Sequence, residues 1–299
     1  MKRCAFPNSC QNRIQLGLLC QNTLFPVSKN IEYTKTEIAK RKKKLNYIVE
    51  TLPCLSDNYA FLIIEEEQKK AMLVDAPESG PIMDYLDTNG LKLDYILLTH
   101  HHDDHILGVS DLVNTYGCKV VGASEDEQRL PELNMQVKGE DRIKLSNLTF
   151  EIFDVPGHTV GHIAFYCEEI GALFSGDSLM AMGCGRLFEG TPKQMWESLK
   201  KLMTLDPKTK IYSGHEYTEN NARFCLTIEP ENENLKLRIE EIKKLRSTNT
   251  PTIPSLLSDE LITNSFLRAE LDEVKKSINL DGLDALEVFT EIRKRKDNF

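Results

Sequence analysis

Beyond Leu45 the chain breaks into short apolar runs separated by polar turns. "NYIVETL" (46–52) and "NYAFLIIEE" (58–66) alternate or run apolar over strand-like lengths, and "AMLVDAP" (71–77) ends in turn chemistry. "IMDYLDTNG" (82–90) is helical and closes on a glycine, and "DYILLTH" (94–100) follows as a buried strand. Ile106, Val109, Leu112 and Val113 then recur at helical spacing. "CKVVGAS", "LTFEIFDVPG" and "TKIYSGHEY" supply further strands, and "HIAFYCEEIGALFSGD" folds as a hairpin across Glu168–Gly171. "KQMWESLKKLMTL" is a helix with Trp196, Leu199, Leu202 and Met203 on one side.

Past about Asn220 the pattern turns helical. "NLKLRIEEIKKL" and "ALEVFTEIRKRKDNF" carry apolar residues at helical spacing, and the Pro-containing "STNTPTIPS" separates them. Strands mixed with helices, then helices, predict an α/β domain over 46–219 followed by a small helical domain over 220–299. At 299 residues, 40% hydrophobic and 28% charged, the chain has the size and composition for such a globular pair. No apolar run approaches the roughly 18–20 residues that span a bilayer, so the chain reads as soluble, with no membrane partner.

Charge divides the chain further. Residues 1–45 carry ten Lys and Arg against Glu32 and Glu37, a net of +8, while the other 254 residues sum to −17. An acidic body repels phosphate backbones, which excludes nucleic acid as a partner. Residues 1–31 are basic and acid-free, which predicts a cleaved organelle transit peptide leading to a mitochondrial or plastid matrix, with a cytoplasmic protein bearing a basic tail as the alternative. "KRKKK" (40–44) reads as a solvated linker. The eight cysteines form no C-x-x-C pair and fit reduced thiols better than a zinc ribbon or a disulfide framework.

The histidines alter this picture most. All seven fall in three segments, "THHHDDH", "PGHTVGH" and "SGHEY", each directly after a strand-like run. A fourth such position is Asp177 in "LFSGDSL". Loops at strand ends are where α/β folds gather ligands. Imidazole and carboxylate are the usual ligands of zinc, iron and manganese. In His-x-His-x-Asp-His, His100 and His102 reach one ion and Asp104 and His105 another. His158, Asp177 and His215 bring the supply to seven, enough for a pair with one bridging carboxylate. Such a pair lowers the pKa of a water between its ions toward about 7 and polarises a carbonyl, which suits hydrolysis of an ester-like bond. An accidental histidine cluster or tag would sit at a terminus and lack the aspartates. His101 and His162 are assigned as orienting or packing residues, and Asp103 as a helix-start residue.

These motifs resemble a known family. "THHHDDH" matches the T-H-x-H-x-D-H signature of the metallo-β-lactamase superfamily, and "VPGHTVGHIAFY", "LFSGDSL" and "YSGHEYT" match its later ligand motifs in order. "GCGRLFEGT", "GHEYTENNARF", "NSFLR" and the terminal "RKRKDNF" narrow the resemblance to the glyoxalase II (hydroxyacylglutathione hydrolase) family, over about residues 46–299. The resemblance implies an αββα sandwich with a helical C-terminal domain. It implies a first metal on His100, His102 and His158, a second on Asp104, His105 and His215, and Asp177 bridging, with zinc first and iron or manganese as alternatives. The metal-bridging hydroxide, with Asp104 and Asp177 as the catalytic carboxylates, would open the thioester S-D-lactoylglutathione to D-lactate and glutathione, in a monomeric enzyme. Arg186, Phe188, His215, Tyr217, Arg293 and Lys296 would bind the substrate. Helical spacing independently puts Arg293 and Lys296 on one face, and arginine pairs well with carboxylates, of which glutathione has two. Some family members have Lys and Tyr where this chain has Arg186 and Phe188, so the charge is kept and a hydroxyl donor lost.

Other readings are weaker. A mononuclear-iron persulfide dioxygenase of the superfamily lacks the helical C-terminal domain and its R-x-x-K-D ending. A nuclease would need a basic face, a β-lactamase would lack the glutathione motifs, and a non-catalytic relative would have lost a ligand. A thioesterase acting on another glutathione thioester stays open as the nearest alternative.

Overall fold

The computed structural model describes residues 47–299, and the basic segment 1–45 with its transit-peptide expectation lies outside the described residues. Two six-stranded sheets make the framework. The first runs in sequence order: β1 (Tyr47–Cys54), β2 (Asn58–Glu65), β3 (Lys70–Val74), β4 (Lys92–Leu97), β5 (Lys119–Ala123) and β6 (Met135–Val137). Its β1–β2–β3 part is antiparallel and β3 to β6 are parallel. The second begins with the antiparallel strands β7 (Arg142–Leu145), β8 (Leu148–Asp154), β9 (Ile163–Cys167) and β10 (Ala172–Gly176). A short ribbon, β11 (Leu179–Met180) and β12 (Gly183–Cys184), leads on to β13 (Lys210–Ser213), parallel to β10, and β14 (Ser255–Leu256) closes the edge.

Three apolar layers explain why so many strands read as continuous hydrophobic runs. Phe61, Ile63 and Val74 of the first sheet meet Phe150, Phe165 and Phe174 of the second. Their alternating neighbours Leu62, Ile64 and Leu73 face away, toward Ile82, Leu86 and Leu112. These last three lie on α1 (Gly80–Asn89) and on the helix Val109–Tyr116, which follows the single-turn helix α2 (Asp103–Ile106) and is labelled α3. On the far side, Ala164, Leu173 and Ile211 pack under Met195, Trp196 and Leu199 of α4 (Pro192–Leu202). Strands covered on both faces lose their polar alternation, and each fully buried Phe or Leu stabilises the fold by about 1.5–3 kcal/mol. The order helix, sheet, sheet, helix is the αββα sandwich.

The C-terminal segment adds α5 (Thr218–Ile228), α6 (Glu233–Arg246), α7 (Leu257–Thr263), α8 (Asp272–Ser277) and α9 (Ala285–Asp297), with β14 as its only strand. Asp284 and Glu287 form a reciprocal cap that starts α9. Phe289 then packs on Trp196 of α4, ring centroids 5.5 Å apart, which seats the basic end of α9 beside the sandwich.

Three local features differ from the sequence pattern. The helix face from Ile106 to Val113 is split into α2 and α3, because the Gly108 N–H donates to the Ala76 carbonyl (2.9 Å) after β3. The strands β6 and β7 are three and four residues long, too short for a clear period. Helices α5, α7 and α8 lay between the two C-terminal segments that periodicity located or beside them. The described cysteines, Cys54, Cys118, Cys167, Cys184 and Cys225, are buried free thiols, as the spacing predicts.

Candidate metal centre and adjoining cavity

The loops that follow β3, β4, β8, β10 and β13 open on one edge of the sandwich and carry Asp75, His100 to His105, His158, Asp177 and His215. Close packing here dictates two of the motif glycines. A Cβ on Gly214 would lie 2.6 Å from Asp177 Oδ1, and Gly176 has φ +49° and sits against Thr99, so a side chain would be obstructed at both.

Four of the five ligand imidazoles, those of His100, His105, His158 and His215, have a partner that decides which nitrogen is free. The Thr99 hydroxyl donates to Asp75 Oδ2 (2.8 Å) and so accepts from His100 Nδ1 (3.0 Å), which leaves His100 Nε2 as a lone pair. His158 Nδ1 donates to the Arg186 carbonyl (2.7 Å), His105 Nδ1 to Asp75 Oδ2 (2.8 Å) and His215 Nδ1 to Asp57 Oδ1 (2.9 Å). The freed nitrogens then converge. His102 Nδ1 lies 3.2 Å from His100 Nε2 and 3.0 Å from His158 Nε2, so three ring nitrogens share at most one proton. His105 Nε2 and His215 Nε2 are 3.4 Å apart, and Asp104 Oδ2 is 3.9 and 3.4 Å from them. Asp177 faces both groups: Oδ1 is 3.5 Å from His105 Nε2, and Oδ2 is 3.5 Å from His158 Nε2 and 3.2 Å from His215 Nε2.

Lone pairs pressed together at these distances repel unless a cation lies among them. Ligands of a tetrahedral ion bound at 2.0–2.1 Å sit roughly 3.3–3.4 Å apart, close to the spacings found. The buried Asp177 Oδ1 has no hydrogen-bond donor, as a metal-facing oxygen should. The donor set therefore fits divalent metal binding, and the two trios His100/His102/His158 and Asp104/His105/His215 are each compact enough for one ion.

Electrostatics agrees. Burial, with the neighbouring imidazoles, holds His100 well below its ordinary value and lowers His158 and His102. Burial also pulls on His215, yet Asp177 and Asp57 lift it to about 9, and Asp177 with Asp75 raises His105. Asp104 and Asp177 are buried against ionisation, but the surrounding imidazoles hold both carboxyls below the usual range. The site favours neutral imidazoles near His100 and positive charge near Asp177.

His162 orients rather than ligates. Its Nδ1 donates to the Ile163 carbonyl (3.1 Å), its Nε2 accepts the Asp177 N–H (3.1 Å), and its ring stacks on His100. His101 points outward to Asp126 (3.2 Å), and Arg129 joins Asp126 to Glu189. Asp103 opens α2. Sequence reasoning missed Asp57, Asn58, Asp75 and Thr99. Asp75 had a local signal, a carboxylate directly after a buried strand, and Thr99 opens the T-H-x-H-x-D-H signature.

A cavity of about 880 Å³ leads away from these ligands, lined by His102, Asp104, His158, Asp177 and His215 at one end and by Arg186, Phe188, Tyr217, Arg293 and Lys296 beyond. All six of the anticipated substrate-binding residues, His215 among them, thus line one cavity, though they come from three separate segments. Phe188 is 62% exposed, and its ring stands nearly perpendicular to those of His102 and His158, with centroids 5.7 and 5.3 Å away. Tyr217 stacks on His215. Arg293 is buried, donating to the Cys184 carbonyl and Asp297 (2.9 Å each), while its Nε has no partner. Lys296 Nζ contacts Asn220, and burial together with Arg293 lowers its ammonium to about 8. Among the described residues no helix is long and apolar enough to cross a membrane.

Comparison with known proteins agrees with this construction. The family profile "Metallo-beta-lactamase superfamily" matches residues 55–215, and "Hydroxyacylglutathione hydrolase C-terminus" matches 216–299. A hydroxyacylglutathione hydrolase of Cereibacter sphaeroides is 51% identical over 249 residues, 83% of this chain and 98% of the relative. One of Methylococcus capsulatus is 46% identical over 248 residues, 83% and 97% respectively. The crystal structure of BLEG-1 B3 metallo-beta-lactamase superposes with a TM-score of 0.58 at 20% identity, over 74% of this chain and 99% of that one. That of ETHE1 from Myxococcus xanthus gives 0.55 at 23% identity, over 83% and 98%. Both share the fold. On its profile matches and its relatives, the chain belongs to the hydroxyacylglutathione hydrolase family of the metallo-β-lactamase superfamily.

Proposed function

We propose that this chain hydrolyses the thioester S-D-lactoylglutathione to D-lactate and glutathione. The observation that carries the reading is one cavity with the ligand constellation at one end and Arg186, Arg293 and Lys296 at the other. Glutathione presents two carboxylates, so an otherwise acidic protein recognises it through such a local cationic wall.

His100, His102 and His158 are assigned to a first metal, Asp104, His105 and His215 to a second, and Asp177 to both. Zinc is favoured by the imidazole-rich donor set, with iron or manganese the alternatives. Bound there, the pair would supply a water of lowered pKa and positive charge for the developing oxyanion. The chain's own residues do the rest. Arg293 and Lys296 bind the glutathione carboxylates, Tyr217 and Arg186 line its path, and Phe188 shields the acyl end from water. Asp177, whose backbone N–H is held by His162, keeps its buried Oδ1 without a hydrogen-bond donor and so free for a metal. Asp104, fixed by Asn58, is assigned as the carboxylate that accepts a proton from the attacking water. Water's oxygen bonds to the acyl carbon, the C–S bond breaks, and the sulfur leaves as the glutathione thiolate.

Residues 46–219 are assigned to catalysis and 220–299 to substrate binding, in a monomer. The acid-free composition of residues 1–31 supports organelle targeting, the cytoplasm being the alternative. The deciding experiment follows thiol release from S-D-lactoylglutathione with metal content measured on the same sample. Rapid release with close to two metals per chain is expected. A metal-loaded protein that releases no thiol from this or other glutathione thioesters refutes the proposal.

A further inference from the structure

The tight turn between β1 and β2 touches only one of the two ligand trios. Asp57 Oδ1 accepts from His215 Nδ1 at 2.9 Å across 158 residues of chain. Next to it, Asn58 Nδ2 donates to both the carboxylate Oδ2 and the carbonyl of Asp104, 3.0 Å each. The backbone seals the same junction. Glu216 N–H donates to the Asp57 carbonyl (2.8 Å), Tyr59 N–H to the Gly214 carbonyl (2.8 Å), and Asn58 bridges His215 in antiparallel fashion.

The first trio is anchored differently. His100 donates to the Thr99 hydroxyl and His158 to the Arg186 carbonyl, both neutral acceptors. Asp75 serves both trios at once, through His105 directly and through Thr99 to His100. Asp57 and Asn58 have no such divided role. A carboxylate on the far nitrogen of a metal-binding imidazole raises its basicity and fixes its orientation, and Asp57 does this for His215 alone.

We infer that the Asp57–Asn58 turn is a positioning device for a single metal position, the one formed by Asp104, His105 and His215, and that it controls how tightly this position retains its ion independently of the other. The inference rests on the two-position reading of the site. Asp57 touches no reacting atom in this scheme and acts through His215, while Asn58 acts through Asp104.

The test titrates zinc into the metal-stripped full chain against a competing chelator and counts metals by elemental analysis, with thermal melts to establish that each variant is folded. The unmutated chain should bind two zinc ions. Asp57→Ala should keep one ion at unchanged affinity and weaken the other by about 10–100-fold, with Asn58→Ala acting in the same direction. Asp57→Asn, whose amide oxygen still accepts from Nδ1–H, should recover part of the loss. Tyr217→Phe removes the cavity hydroxyl that also neighbours Asp57 and should leave both ions in place. With His102→Ala, which leaves the first trio incomplete, Asp57→Ala should weaken the remaining tight ion. A folded Asp57→Ala that binds both ions normally, or that loses both equally, overturns the inference. Fewer than two ions in the unmutated chain would overturn the two-position reading and this inference with it, a failure visible before any substitution is made.

Discussion

At the ligand end of the cavity four imidazoles, those of His100, His105, His158 and His215, have their second nitrogen held by a named acceptor 2.7–3.0 Å away. At the cationic end Arg293 is held as firmly, but Arg186 and Lys296 are held more loosely. Arg186 is exposed and shares Asp297 with Arg293 at 3.6 Å, while Lys296 rests against Asn220 and the rings of Phe224 and Phe299. The difference follows from what each end must do. Holding a small ion demands donor positions accurate to a few tenths of an ångström, so every donor needs an orienting partner. On the proposed reading, holding carboxylates on a flexible peptide tolerates adjustable side chains such as Arg186 and Lys296, whose contacts with Asp297 and Asn220 the substrate would replace.

Substitutions at the two ends should therefore separate metal retention from substrate affinity. The largest effect belongs to Asp177→Ala, which removes the carboxylate facing both trios. Turnover should fall by on the order of 10³-fold or more, and metal analysis should show depletion. A variant that keeps both metals would break the contrast. Arg293→Ala should raise KM by about 10–100-fold through loss of a charge-assisted hydrogen bond while metal content stays normal. A normal KM would remove α9 from the substrate site.

Lys296 gives a smaller effect with a defined sign. Burial and the Arg293 and Arg223 guanidinia push its ammonium down to about 8, against Asp297 and Cys225, which push it up. It is charged below that pH and loses its charge as pH rises through it. KM should accordingly rise about three- to tenfold between pH 7 and 9, and Lys296→Arg should flatten the profile. An unchanged slope in the arginine variant would place the titration elsewhere. Smallest is Phe188→Tyr. Restoring a hydroxyl donor at this exposed position should lower KM about two- to threefold, measured with metal content as the control.

How much of this was legible in the sequence depended on how local the signal was. The strand–loop pattern, the helix of Trp196 and Leu199, and all seven proposed ligands could be read directly, because apolar periodicity and histidine-rich loops are properties of a few adjacent residues. Arg293 and Lys296 could be paired by helical spacing, but only the packing of Phe289 on Trp196 put them at the cavity. The short strands β6, β7 and β14 carried too few residues to show a period. Asp57 and Asn58 left no signal at all, being an ordinary turn dipeptide by composition.

By itself, then, the sequence determined an α/β domain followed by helices and the chemistry of the donors, since both follow from side-chain type repeated at short range, while the layer order was implied only by the family resemblance. Tertiary structure alone decided which nitrogen each oriented imidazole presents, and it set His158 beside His102 and His215 beside His105 as the resemblance implies. It also decided that a turn near residue 57 steadies a histidine at 215. Most of those outcomes depend on hydrogen bonds between residues 24 to 158 positions apart, and no local pattern encodes a partner at that distance.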